Sequence, residues 1–139
     1  MRPDLANEIA VTPAFHDLDP MAVVWHGHYF KYFELARCAL LQRLGYDYLE
    51  MRESGYVWPI VDLRTKYVRS ATFNQTLKVR AEIVEWENRL KIDYEIRDAA
   101  TDQVLTRAHT IQVAVKVETG EMQFVSPPVL FERLGMAAP

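Results

Sequence analysis

The chain has 139 residues, 50% hydrophobic and 25% charged, with 16 Lys and Arg against 19 Asp and Glu for a formal net charge of -3. That size suits one domain with a substantial core, and mild acidity without a basic block excludes the electrostatic footprint of a nucleic-acid binder. A single cysteine, Cys38, excludes an internal disulfide, while the lack of a leader pattern or of an apolar run near the roughly 20 residues of a membrane span predicts a cytoplasmic protein.

In chain order, Ile9, Val11 and Phe15 alternate well enough to predict a first strand from about Glu8 to Phe15, with Pro13 placing it at an edge or bulge. It ends at His16-Asp17-Leu18-Asp19-Pro20, where Pro20 keeps Asp19 out of helical geometry. From Tyr29 to Leu44 the residues are mostly apolar, and the polar Lys31, Glu34 and Arg37 recur every third position. That pattern predicts a helix buried on most of its circumference, stopped by Gly45 in a left-handed conformation. No Ser, Thr, Asp or Asn stands just before it to cap the free N–H groups, which leaves those donors for a ligand. A short second helix is expected from Asp47 to Glu53.

From Val57 onward the period becomes two. Leu77, Val79, Ala81 and Ile83 alternate with charged residues, and the phase slips at Val84 before Trp86, which predicts a bulge. Glu87-Asn88 reads as a two-residue turn into a half-exposed strand carrying Leu90, Ile92, Tyr94 and Ile96. Val104 to Val117 reads as one long β-branched strand ending at the turn Glu118-Thr119-Gly120-Glu121. One helix followed by four or five antiparallel strands defines an α+β domain in which a sheet wraps the helix, with one sheet edge left for a second copy.

The residues able to carry chemistry are few. Asp17 and Asp19 flank Leu18. Glu34 and Arg37 stand at the spacing of an ordinary helical ion pair. His26 and His28 flank Gly27 without a third ligand at a recognisable spacing, so no metal is expected. Cys38 sits within the apolar helix as a core residue. No Ser-His-Asp set and no glycine-rich phosphate loop is present. Trp25, Tyr29, Phe30, Tyr32 and Phe33 crowd the helix start.

The order of these residues carries a resemblance. Asp17-x-Asp19, then Val24-x-His26-x-x-Tyr29, then Glu34-x-Ala36-Arg37, within FHDLDPMAVVWHGHYFKYFELAR from Phe15 to Arg37, closely resembles the signature of the hotdog-fold acyl-CoA thioesterases of the 4-hydroxybenzoyl-CoA thioesterase type, including their YbgC-like branch. Coarser similarity runs on through Tyr67, Ala71 and Phe73. The resemblance implies a single hotdog domain over residues 1–139, an antiparallel sheet around one long helix. It also implies dimers joined edge to edge that pair again into homotetramers.

The resemblance implies hydrolysis of an acyl- or aroyl-CoA thioester to free acid and CoA without metal or redox cofactor. The family's catalytic aspartate falls on Asp19, as nucleophile or as general base toward water. Its oxyanion donor, a backbone N–H at the helix start, falls on His26, whose side chain would orient water or the carboxylate. Tyr29 corresponds to pocket wall and Glu34 to a helix-face residue within reach of a partner's site. Trp25, Tyr29, Phe30, Tyr32 and Phe33, with Trp58 and Pro59, are candidates to line an apolar acyl pocket, at least half of these rings being expected in the core, and Lys66, Arg69, Lys78 and Arg80 are candidates for contacts to the CoA phosphates. Two departures stand out. Ala22 replaces a glycine common in relatives, which predicts a different loop path if that position needs a positive φ, and Asn74-Gln75-Thr76 replaces a motif that often carries an acidic residue. Three alternatives remain: a thioesterase for acyl-carrier protein, a hotdog dehydratase or hydratase using His26 with Glu34, and a non-catalytic acyl-binding subunit.

Overall fold

The computed structural model describes residues 4–138. Its strands are β1 (Ala6–Val11), β2 (Tyr56–Val57), β3 (Ile60–Tyr67), β4 (Leu77–Glu85), β5 (Leu90–Asp98), β6 (Val104–Gln112) and β7 (Val115–Lys116), and its helices are α1 (Tyr29–Arg43), α2 (Tyr48–Glu53) and α3 (Pro128–Leu134). Five strands form one antiparallel sheet in the order β1-β4-β5-β6-β3, and β2 pairs separately with β7. The long helix α1 lies on β1 and β4, giving the hotdog architecture. None of the helices among the described residues is long and apolar enough to cross a membrane.

Alternation decides which sheet face meets the helix. Leu77, Val79, Ala81 and Ile83 of β4 are buried, as are Leu90, Ile92, Tyr94 and Ile96 of β5. Register brings Val79 opposite Ile96, Ala81 opposite Tyr94 and Ile83 opposite Ile92, so the apolar rows continue across the strands. From α1, Tyr29, Tyr32, Phe33, Ala36 and Leu40 are buried at helical spacing. The Phe33 ring lies 4.9 Å from that of Tyr94 between centroids, and the Tyr94 hydroxyl hydrogen-bonds Thr110 Oγ1 at 3.0 Å.

Several boundaries differ from expectation. The first strand stops at Val11, and Phe15–Asp17 form a single 3₁₀ turn instead. The predicted slip near Val84 appears as a register shift between Ile83 and Glu85, but the connection that follows is longer than a two-residue turn, because pairing ends at Glu85↔Lys91. Val104 to Val117 is two strands. At Val113 the backbone N–H turns to the Pro59 carbonyl, 3.4 Å away, and the chain passes from the large sheet to β2. Gly45 ends the helix region with φ of 73°, its N–H on the Gln42 carbonyl and that of Tyr46 on the Leu41 carbonyl.

The helix α1 is less enclosed than its composition suggests. Its outward side shows Phe30 at 42% and Leu35 at 53% exposure beside Lys31 and Glu34, because the sheet of one chain covers only one side of it. The edge strand β3 is exposed as well, including Ile60, Val61, Leu63 and Tyr67. An apolar sheet edge of this kind is normally paired or covered.

Candidate active site

The loop between β1 and α1 is built around Asp17, which is buried at 3% exposure. Its Oδ2 accepts the Ala14 N–H at 3.0 Å and the Tyr32 hydroxyl at 2.8 Å, and its Oδ1 pairs with Lys31 Nζ. Its backbone carbonyl accepts the Trp25 N–H at 2.9 Å. Burial alone would raise this carboxyl's pKa, but the hydrogen bonds from Lys31, Ala14 and Tyr32 outweigh it and bring it down to about 2. Both bonding side chains come from the first turn of α1, so one carboxylate ties the loop to the helix.

Asp19 sits two residues further, at the tip. Its N–H donates to the Val23 carbonyl at 2.8 Å and its carbonyl accepts the Ala22 N–H at 2.9 Å, closing a tight turn with Leu18 bridged to Val24. Oδ1 accepts the Met21 N–H at 2.8 Å, and Oδ2 accepts no hydrogen bond among the described residues. The turn requires a left-handed residue, and Ala22 supplies it at φ of 63°. Alanine tolerates this conformation less well than glycine and bears the strain.

Trp25 leads into a 3₁₀ turn, His26–His28, that runs directly into α1 with no side-chain cap. The N–H groups of His26 and Gly27 have no acceptor among the described residues, as the missing capping residue predicts, and they point from the positive end of the helix. The His26 carbonyl accepts the Tyr67 hydroxyl at 2.6 Å. That bond fixes the peptide plane whose other face is the Gly27 N–H. The Trp25 ring lies 5.0 Å from His26 and 5.1 Å from His28 between centroids, and it passes so close over Gly27 that a Cβ there would meet it at 2.3 Å.

The expected site residues fall into two groups. Asp19, Trp25, His26 and Tyr29 gather where the loop meets α1. Tyr29, expected as pocket wall, is closed into the core at 2% exposure, with its hydroxyl accepting the Ala71 N–H at 3.0 Å. Its phenol pKa is raised, first by burial and further by the negative charge of the nearby Asp19. Glu34, Trp58 and Pro59 instead line a cavity further along α1. Glu34 pairs with Arg37 at 3.4 Å, and Cys38, expected in the core, is only half-buried and lines that cavity too.

The basic residues do not form one cluster. Lys78 bonds Asp102 at 2.6 Å and Arg80 bonds Glu82 at 2.8 Å. Lys66 lies with Arg64 and Arg107 in a charged groove that also includes Arg80, and Arg69 is exposed beyond β3. Among the described residues no cluster of His, Cys, Asp or Glu is placed to hold a metal ion. The supporting roles of Lys31, Tyr32 and Tyr67 escape sequence reading. The i to i+1 pair Lys31-Tyr32 carries no pattern of its own, and Tyr67 reaches the loop only through the sheet.

With this geometry, the comparisons with known proteins place the chain. Residues 13–134 match the model of the thioesterase-like superfamily, and the chain belongs to that family. A Synechocystis protein provisionally named an esterase is 30% identical over 128 residues, covering 91% of this chain and 77% of the relative. The DHNA-CoA thioesterase of Staphylococcus aureus superposes with a TM-score of 0.77 at 25% identity, covering 84% of this chain and 78% of that one. A 1,4-dihydroxy-2-naphthoyl-CoA thioesterase from Synechocystis shares the fold at a TM-score of 0.83 and 20% identity, covering 94% and 96% of the two chains.

Two expectations follow from the loop. Ala22→Gly relieves a left-handed alanine at an exposed position and stabilises the protein by about 1 kcal/mol, after the flexibility glycine adds to the unfolded chain. Thermal unfolding should show a rise of roughly 3–5 °C, and an unchanged or lower midpoint would contradict the strain. Asp17→Asn costs about 2–3 kcal/mol by removing a buried charge from its donors. Because the folded pKa near 2 lies below the ordinary 3.8, the Asp17 contribution is complete above about pH 4 and is lost as pH falls through about 2. Urea unfolding should show a gap between wild type and variant that is constant from pH 6 to about 4 and closes from there to pH 2.

Proposed function

We propose that the protein is an acyl-CoA thioesterase that hydrolyses an acyl- or aroyl-CoA to free acid and CoA. The observation that carries this reading is the pairing, in one loop, of a carboxylate with an oxygen that accepts no hydrogen bond, Asp19, and an unbonded N–H at an uncapped helix start, His26, both among the described residues. The thioester oxygen docks on the His26 N–H, which polarises the carbonyl and stabilises the negative charge that grows there. Asp19 either adds to the carbonyl carbon, forming an anhydride that water then cleaves, or takes the proton of a water that attacks directly. In both routes the C–S bond breaks and CoA leaves as the thiolate. The Asp17 network holds Asp19 at the tip, and the Tyr67 hydroxyl steadies the peptides of the first turn.

Trp25, exposed beside His26, forms one wall of the mouth, and the two copies of a dimer join through the exposed apolar edge β3. Family membership, the Staphylococcus aureus relative and the loop geometry support hydrolysis over the hydratase alternative. That alternative needs His26 and Glu34 on one substrate carbon. Within one chain Glu34 lies about 8 Å along the helix axis from Tyr29 and is engaged with Arg37. A carrier-protein thioester would use the same chemistry.

Asp19→Asn and Asp19→Ala should lower kcat/KM for acyl-CoA by about 100- to 10,000-fold with the unfolding midpoint little changed, as read by thiol release and calorimetry. Full turnover by folded Asp19→Ala protein would overturn the assignment. Tyr67→Phe should reduce kcat by roughly tenfold while moving KM less, since a misplaced donor weakens transition-state contacts more than substrate binding. Equal effects on kcat and stability would instead mark Tyr67 as a packing residue.

A further inference from the structure

The Asp17 network holds only one limb of the Asp19 turn. The other limb, Val23 and Val24, returns between Leu18 and a segment that follows β3. Val24 is bridged to Leu18 on one side, Val23 is bridged to Thr72 on the other, and the Val24 N–H donates to the Ala71 carbonyl at 2.9 Å. The turn is thus part of a small antiparallel ladder, in which 18–19, 23–24 and 71–72 lie side by side. Ala71 is fully buried, so its own N–H has no water to bond and needs an acceptor from the protein. The Tyr29 hydroxyl is that acceptor, at 3.0 Å.

Tyr29 is the first residue of α1 and follows directly on the turn that carries the unbonded His26 and Gly27 N–H groups. Its ring stands edge-on to that of Tyr67, 5.1 Å away between centroids, and the Tyr67 hydroxyl bonds the His26 carbonyl. Only two torsions separate the Tyr29 backbone from its ring, and close packing fixes both. One side chain therefore spans the two halves of the site, with its backbone beside the N–H donors and its oxygen on the ladder that carries Asp19. The far end of the same segment is held too. In the turn from Thr72 to Gln75, Asn74 takes a φ of 64°, Gln75 Oε1 accepts the Thr72 N–H at 3.0 Å, and Gln75 Nε2 bonds Asp98 at the end of β5. We propose that residues 71–75 form a second brace of the Asp19 turn, and that Tyr29 is a positioning residue whose hydroxyl, through Ala71, sets the separation between the Asp19 carboxylate and the His26 N–H. This replaces the role of pocket wall expected for Tyr29, and it gives Asn74-Gln75-Thr76 a use. The consequence for rate rests on the thioesterase reading, whereas the brace does not.

Tyr29→Phe keeps the ring and removes the acceptor, which leaves the Ala71 N–H buried and unbonded. Tyr94→Phe is its control, because it removes a buried hydroxyl bonded to Thr110 in the middle of the sheet. Amide hydrogen exchange should quicken about tenfold at Asp19, Val24 and Ala71 in Tyr29→Phe, with the β4 and β5 amides unchanged, and should not quicken at the turn in Tyr94→Phe. In thiol release from benzoyl-CoA and dodecanoyl-CoA, Tyr29→Phe should lower kcat by about 10- to 100-fold while KM changes by less than about threefold. Tyr94→Phe should keep kcat within about twofold of wild type. Unchanged exchange at the turn, a rise shared equally by β4 and β5, or an equal fall of kcat in both variants overturns the inference. Faster exchange at the turn with undiminished kcat overturns the positioning role. If Tyr29→Phe does not fold, Gln75→Ala loosens the same segment from its half-buried end, and unchanged exchange at Asp19 and Val24 in that variant overturns the brace. Absence of thiol release from wild-type protein marks failure of the thioesterase reading instead, and the exchange rates still decide on the brace.

Discussion

Asp17 is buried with its charge intact, and that is tolerable only because Ala14, Lys31 and Tyr32 all deliver hydrogens to its two oxygens. Everything at the loop depends on this arrangement. The Asp17 carbonyl sets the Trp25 N–H, which starts the turn into α1, and the residue's position next to Leu18 sets where the Asp19 tip projects. The side chain that performs no chemistry in the proposed reaction is thus the one that makes the reacting geometry reproducible. Asp19 could not take over this role while remaining reactive, since a carboxylate saturated with donors is a poor base and nucleophile.

The helix α1 acts as a ruler between two environments. At its first turn the groups are polar and poised, an open carboxylate oxygen and unpaired backbone N–H groups. Two to three turns on, the surroundings are largely apolar, with Arg37 and Asp47 at the wall. The aromatic concentration at the helix start divides along the same geometry. Tyr29, Tyr32 and Phe33 face the sheet and are almost fully buried, while Trp25 and Phe30 remain 45% and 42% exposed. Three of the five rings are core, and two are surface available to a substrate or a second chain.

Reading from sequence succeeded wherever a local pattern had one cause. Strands β4 and β5 alternate because each has one face on the core and one in water, and even the slip near Val84 was visible. The uncapped start of α1 was visible because capping has a short residue list. The break between β6 and β7 was not, because Val113, Ala114 and Val115 are all compatible with a strand and the break comes from Pro59, a distant acceptor. Helix α3 is short and carries little periodicity of its own, and its local signals are Pro128 at its start and the left-handed Gly135 at its end. At the site, the loop motif was legible as a motif, whereas the cavity was not, since Cys38, Met51, Trp58 and Gln112 come from four separate segments and no spacing links them.

The close approach of Trp25 to Gly27 means that these two positions share one volume. The indole occupies the space where a side chain at 27 would stand, so even a methyl group there requires the ring to leave its place between His26 and His28. A side chain at position 27 is therefore accommodated only if the exposed Trp25 ring moves aside. Where that ring stands decides how much of the surface beside the helix start is open, so a change at either position reshapes the approach to the His26 and Gly27 N–H groups.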